Sequence, residues 1–548
     1  MEFFPDDYQR VTNIYRRTLN LDPEPNMKSI SRRTFHRSVG EGMLSATVGA
    51  TLAHELGLTT SATAGEKAIN AKLTFGDLEP LVGLMEDTPA DKLLPIAVAK
   101  LKSGEETLHS LMRAAALANA RSFGGRDYIG MHTLMAMKPA FLMAAQTSGD
   151  RAPLVVLKIL HRNTRQMHSA DCKGEVMHAI SPTNGATGST AMMINKAIQS
   201  HDRQKAEEAL AMAAAVSPEQ AFNDLLETVE EDIQVHNVVF AHRAWEALDL
   251  VGAEHALTML RQSLRYRARH ADSKYLQSDP KRVLLPQLLE EFSLLGFTAG
   301  NHIPDDGWVK NMSETIFSGT PEDSARAVAS SLKEGISPKS IGEAISLAAN
   351  QLVLRDVGRV QKNQNPDKEI GSIHGDSIGV HASDSANAWR KMAEVSNQQN
   401  AIACLILGAY QVTRDRIERG GNFLEWKPRP VEEQLAKVKG SDQKSLLAEL
   451  DGVIREENQD QACAVTRKYG DLGLSERPLL DVLLKYAISE DGALHGEKYY
   501  LTTTTDFADT RPAFRWNHLV GLARITASEY GLKADGYRES CGLLGVKA

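Results

Sequence analysis

An all-α fold of four diverged helical units, stacked or closed into a ring, is what this sequence predicts, and three observations predict it. Capping residues stand before proline in Asp87-Thr88-Pro89, Ser217-Pro218-Glu219, Thr320-Pro321-Glu322 and Ser337-Pro338. Helices open there, because the cap accepts a free N–H and proline suits the first turn. Residues 105–120, 204–215, 325–332 and 341–354 then repeat apolar side chains with the helical period and are rich in Ala, Leu, Met, Glu and Lys. Thirdly, one histidine-bearing turn recurs four times. Its fullest copy is Gly371-Ser372-Ile373-His374-Gly375-Asp376-Ser377-Ile378-Gly379-Val380-His381. Weaker copies are Arg126-Asp127-Tyr128-Ile129-Gly130-Met131-His132, Val235-His236-Asn237-Val238-Val239-Phe240-Ala241-His242 and Asp491-Gly492-Ala493-Leu494-His495-Gly496-Glu497.

Taking His132, His242, His381 and Thr502 as equivalent gives spacings of 110, 139 and 121 residues. The units then span about residues 73–200, 201–318, 319–439 and 440–548. Such a repeat is longer than those of the common helical solenoids, which favours stacked or ring-arranged bundles. Leu501-Thr502-Thr503-Thr504-Thr505 has strand-like composition, but it stands where the other units enter a helix, so we read it as helical. Residues 277–308 and 420–430, rich in Gly, Pro and aromatics, read as ordered loops joining units.

Ahead of the units, residues 1–26 are polar with Pro5, Pro23 and Pro25 and read as a loose extension. Met27-Lys28-Ser29-Ile30-Ser31-Arg32-Arg33-Thr34-Phe35 then resembles a twin-arginine export signal. Residues 39–53 form its apolar segment and Ala62-Thr63-Ala64 its small-residue cleavage site, so the expected signal covers residues 27–64. On that reading the protein engages the export machinery and is periplasmic. Glu41, His54 and Glu55 keep open the alternative of an ordinary amphipathic helix in a cytoplasmic protein. No stretch reaches the roughly 20 apolar residues of a membrane span.

Composition narrows the class. At 548 residues, with 42% hydrophobic and 24% charged side chains, the chain can bury a large core and is not of a disordered or fibrous kind. A net charge of −8 lacks the basic footprint of a nucleic-acid binder. The run Arg261, Arg265, Arg267, Arg269 is the local exception, and its spacing reads as a solvated helix face. Cys172, Cys404, Cys463 and Cys541 are far apart and form no CxxC pair.

Histidine carries the chemistry here, since imidazole both ligates metals and moves protons near neutral pH. The candidate metal ligands are His132, His236, His242, His374, His381 and His495. His374, His381, Asp376, His495 and Glu497 are the candidate catalytic residues, because His374-Gly375-Asp376 and His495-Gly496-Glu497 each set a carboxylate beside an imidazole. Equivalent turns of ring-arranged units lie on one side of the assembly, so His132, His242, His374, His381 and His495, with Asp376 and Glu497 nearby, are expected to converge on one interior cleft. No Gly-x-Ser-x-Gly elbow, P-loop or dinucleotide fingerprint occurs, Gly185-Ala186-Thr187-Gly188-Ser189-Thr190 reads as a plain loop, and Met131, Met135, Met137 and Met143 read as core filler.

Ser489-Glu490-Asp491-Gly492-Ala493-Leu494-His495, with the helix after it, resembles the Glu-Asp-x-x-x-His turn of the questin oxidase-like family. The resemblance implies an α-helical fold and oxygenase chemistry of Baeyer–Villiger type with reduced nicotinamide. The functional expectation is therefore an oxidoreductase acting on a small organic molecule in a histidine-lined cleft, assisted by a transition metal (Fe or Zn) or a reduced nicotinamide. The alternative is a non-catalytic helical repeat protein that binds a protein or ligand on a concave face.

Overall fold

Every described residue that enters regular structure does so as helix. The computed structural model describes residues 71–182, 188–271, 281–363 and 367–548, and these hold no strand, only the isolated bridges Lys72 to His178, His302 to Ile336 and Glu490 to Lys533. The export segment 27–64 and residues 185–187 of the 185–190 loop lie outside the described residues.

Helix starts follow the capping chemistry at three of the four proline sites, whereas at the fourth Pro89 itself precedes Ala90–Ser103 and no side chain caps that helix. Ser217, Thr320 and Ser337 accept from the N–H groups of Gln220, Asp323 and Ser340, opening Pro218–Glu230, Pro321–Lys333 and Pro338–Arg355. Leu501 to Thr505 lie inside the helix Gly496–Asp509, as their position in the repeat predicted. Residues 420–430 form an irregular segment, whereas the expected loop 277–308 contains the helix Lys281–Glu291. There Pro286 hid the helical pattern.

One triplet of consecutive helices recurs four times. Its middle members are Tyr128–Gln146, Val235–Glu246, Ile378–Val395 and Gly496–Asp509, each packed against the helix before it and the helix after it. In the first triplet, for example, Leu108–Phe123 precedes and Pro153–Met167 follows. The four middle helices also pack on one another in a closed circuit, first on second, second on third, third on fourth and fourth on first. Around this centre a continuous apolar core runs from Leu73 to Cys541, with Met131, Met135, Met137 and Met143 buried in it.

Two expectations about the outer helices are corrected or completed. Arg261, Arg265 and Arg267 are buried, not solvated. Arg261 and Arg265 pair with Glu207 and Glu175, and Arg267 donates to the Thr228 carbonyl, so this helix face is an ionic seam between packed helices. The four cysteines are all free thiols. No helix among the described residues is long and apolar enough to cross a membrane.

Candidate metal centre

Each of the four central helices brings a histidine to the circuit from its N-terminal end. His132 lies one turn into Tyr128–Gln146, His236 and His381 lie in the first turns of their helices, and His495 immediately precedes Gly496–Asp509. Local packing sets their depth. Gly130 and Gly379, two residues ahead of His132 and His381, are pressed so closely on Phe123 and on the Val353 backbone that a Cβ would stand 2.5 and 2.7 Å from them. In the fourth unit Ala493 and Leu494 hold positive φ (50° and 66°), a costly conformation for non-glycine residues that is typically kept where it positions a functional group.

The four imidazoles form a pinwheel. Neighbouring ring centroids are 5.0 Å apart for His132 and His236, 5.3 Å for His236 and His381, 4.9 Å for His381 and His495, and 5.1 Å for His495 and His132. All four pairs meet edge to face, at 65° to 74°. Ligating nitrogens of His132, His236 and His495 lie within 4.8 Å of one another, and His381 Nε2 stands 3.1 Å from His495 Nε2. Two nitrogens that share an ion at about 2.1 Å are themselves about 3.0 to 3.4 Å apart, a spacing the His381 and His495 pair already has and toward which the other nitrogens would have to close.

Hydrogen bonds fix which nitrogens face inward. His132 donates Nδ1–H to the Tyr128 carbonyl and His495 donates Nδ1–H to the Ala493 carbonyl, both at 2.8 Å. Each therefore presents a bare Nε2 lone pair, the tautomer a metal requires. His381 Nε2–H consequently donates to His495 Nε2. The Gln234 oxygen already accepts from the Asn237 N–H and the Tyr266 hydroxyl, so its amide nitrogen donates to His236 Nδ1 at 3.0 Å. That leaves the His236 proton on Nε2. The Nε2 atoms of His132 and His236 are buried and meet no partner.

Electrostatics keep the ring neutral. Burial drives His132, His381 and His495 well below the usual imidazole range and His236 down to about 3, with the Lys498 ammonium adding to the effect in each case. Lys498 lies one turn beyond His495 and Asp384 one turn beyond His381, and both are buried. Burial lowers Lys498 to about 7 and raises Asp384, each opposing the other's shift. Asp384 accepts from the Thr502 hydroxyl at 2.7 Å, and Arg243 donates to the same hydroxyl at 3.3 Å.

Of the residues singled out in the sequence, His132, His236, His381 and His495 come together, while His242, His374, Asp376 and Glu497 do not join the ring. His242 is six residues past His236, which turns it about 240° around the helix and about 9 Å along it, into the buried neighbourhood of Glu246 and Arg243. The ring's members are thus spaced by 104, 145 and 114 residues, with His236 and His495 in the places first given to His242 and Thr502. His374 precedes the helix and pairs with Asp376 in a half-exposed loop. Glu497 follows His495 by two residues, which points it across the helix to Lys158 at 2.8 Å and to Arg162. Burial alone would raise its carboxyl, but Arg162 and Lys158 outweigh it and hold the group down at about 2. Glu497 is therefore a clamp between the first and fourth units. Lys498, Asp384 and Gln234 were missed, although the three-residue offsets from His495 and His381 set two of them on the histidine face.

Around the ring the surroundings differ by side. Tyr128, 53% exposed, packs on His132 with ring centroids 4.2 Å apart and planes tilted by 43°, and Tyr266 and His270 continue the aromatic rim beyond His236. Behind His495 a cavity lined by Gly375, Tyr486, Glu490, Leu522, Ile525 and Glu529 holds only ≈ 30 Å³, room for about two waters. No known family, curated protein or solved structure matches this chain.

Proposed function

We propose that this chain is a metal-dependent oxidoreductase of oxygenase type, its ion held by His132, His236, His381 and His495. One observation carries the reading: four neutral imidazoles, one from each helical unit, turn toward a common centre, with the His132 Nε2 lone pair unpartnered and that of His495 met only by a neighbouring imidazole of the ring. Surface histidines have no reason to keep that register, and imidazole sets of this kind suit iron, copper, zinc and nickel. Oxidation chemistry selects an ion that changes valence, which iron does and zinc does not. A small organic substrate approaches past Tyr128 and Tyr266, because the cavity behind His495 is water-sized. On the questin oxidase-like resemblance at Glu490 to His495, reduced nicotinamide is the external electron source.

Metal analysis of the full-length protein purified without chelators tests this directly. Close to one ion per chain is expected, falling to background in His132→Ala, His381→Ala and His495→Ala while helicity persists. A protein that takes up no transition metal under any loading condition leaves the helical binding scaffold as the reading. Export is tested separately, since Arg32→Lys with Arg33→Lys should retain the uncleaved precursor in the cytoplasm; unchanged fractionation refutes the signal.

A further inference from the structure

A divalent ion on four neutral imidazoles carries its whole charge into the centre of the protein, where an uncompensated charge is costly. The groups beneath the ring make that worse before they make it better. Lys498, 1% exposed, and Arg243, 3% exposed, are both cations on the inner helices. Arg243 is already offset by Glu246 at 2.6 Å, and of three further carboxylates on the inner helices between the ring and their far ends two are committed elsewhere. Glu497 is held by Lys158 and Arg162, and Asp506 is held by Arg390 at 2.6 Å and by the Asn387 amide at 2.9 Å. Asp384 is the third. It is 3% exposed, lies about 4.5 Å along the axis from His381, interacts electrostatically with Lys498, and accepts a hydrogen bond from neutral Thr502.

We propose that Asp384 is the counter-charge of the centre, the residue that makes the histidine ring prefer a divalent over a monovalent ion. The assignment rests on the ring being a metal site. Asp384 acts through its field and not as a ligand, so it is a positioning and selectivity residue. At an effective dielectric of about 20, a carboxylate placed anywhere from about 6 to 10 Å from an ion changes its affinity by roughly 10- to 100-fold for each unit of charge on the ion. Readjustment of Lys498 will absorb part of this.

Zn(II) and Cu(I) share a filled d shell and differ in charge, so competition titrations of the full-length protein with each ion read the effect. Asp384→Asn should weaken Zn(II) at least about tenfold more than it weakens Cu(I), by the same Coulomb argument. Thr502→Val removes the hydrogen bond but keeps the charge, and should leave the Zn(II)/Cu(I) ratio near wild type. If Thr502→Val shifts the ratio as far as Asp384→Asn, the effect is structural and the assignment falls. Should Asp384→Asn fail to fold, Lys498→Met tests the same pair with the opposite sign: Zn(II) should gain on Cu(I), and a loss overturns the proposal. A wild-type chain that binds neither ion overturns the metal reading itself, whereas binding with an unchanged ratio in Asp384→Asn overturns this assignment alone.

Discussion

The two ends of the central helices bury polar groups under opposite rules. At the far end Arg390 pairs with Asp506 and Asp509, Lys391 with Asp509, and Asn387 donates to Asp506. At the near end four imidazoles face each other without a countercharge among them, and two of their inward nitrogens meet no partner. The same helices and nearly the same burial produce both, so burial does not explain the difference. A fully paired network locks helices together, whereas an inward imidazole nitrogen left unmatched costs stability and marks the near end as the candidate binding site.

The contrast should break most visibly in acid. The ring imidazoles are held below their ordinary value, so the unfolded chain binds protons that the folded one refuses, and stability must fall as pH drops below about 6.5 toward 3. The slope is up to about 1.4 kcal/mol per pH unit for each imidazole. His242 and His518, lowered by burial to about 3 and about 4, add to it, so His132→Phe should reduce proton uptake on unfolding by close to one. Denaturant titrations from pH 7 to 5 measure this, and a flat profile would contradict neutral buried imidazoles.

Next in size is the far end itself. Arg390→Ala strands the Asp506 carboxylate and should cost about 3 to 5 kcal/mol without changing metal content. On the proposed metal reading His132→Ala should lower metal content, and in the metal-free protein it should cost less stability than Arg390→Ala. Equal destabilisation by both would erase the distinction between the ends.

Smaller effects sharpen the near end. Gln234→Glu replaces the amide that donates to His236 Nδ1 with a carboxylate that accepts from it. The Nε2 lone pair of His236 is then freed, and metal affinity should rise about tenfold by competition titration. Ala493→Gly relieves a positive φ and should raise stability by up to about 1 kcal/mol while loosening His495, detectable as weaker metal binding in a more stable protein.

Much of this was legible in the sequence because helical period and proline-linked caps are local signals. Ser217, Thr320 and Ser337 cap the helices their spacing announced. The recurrence of histidine turns likewise pointed to one shared centre. What was not legible is angular. His242 looked equivalent to His132 by spacing, yet where a helix begins decides which way its residues face, and Val235–Glu246 begins only one residue before His236. Glu497 looked adjacent to His495 in the chain and is nearly opposite it around the helix. The arginines of Ala256–Arg269 looked solvated because their partners, Glu175 and Glu207, lie more than fifty residues earlier.

The ring draws on positions 132, 236, 381 and 495, and this makes it a whole-chain object. No fragment that omits the first or last unit contains it, and opening any one triplet dismantles it. Uptake of an ion would therefore report that all four units have been made and have folded together. It would mark the assembled circuit in a way that no single unit, however well packed, can signal by itself.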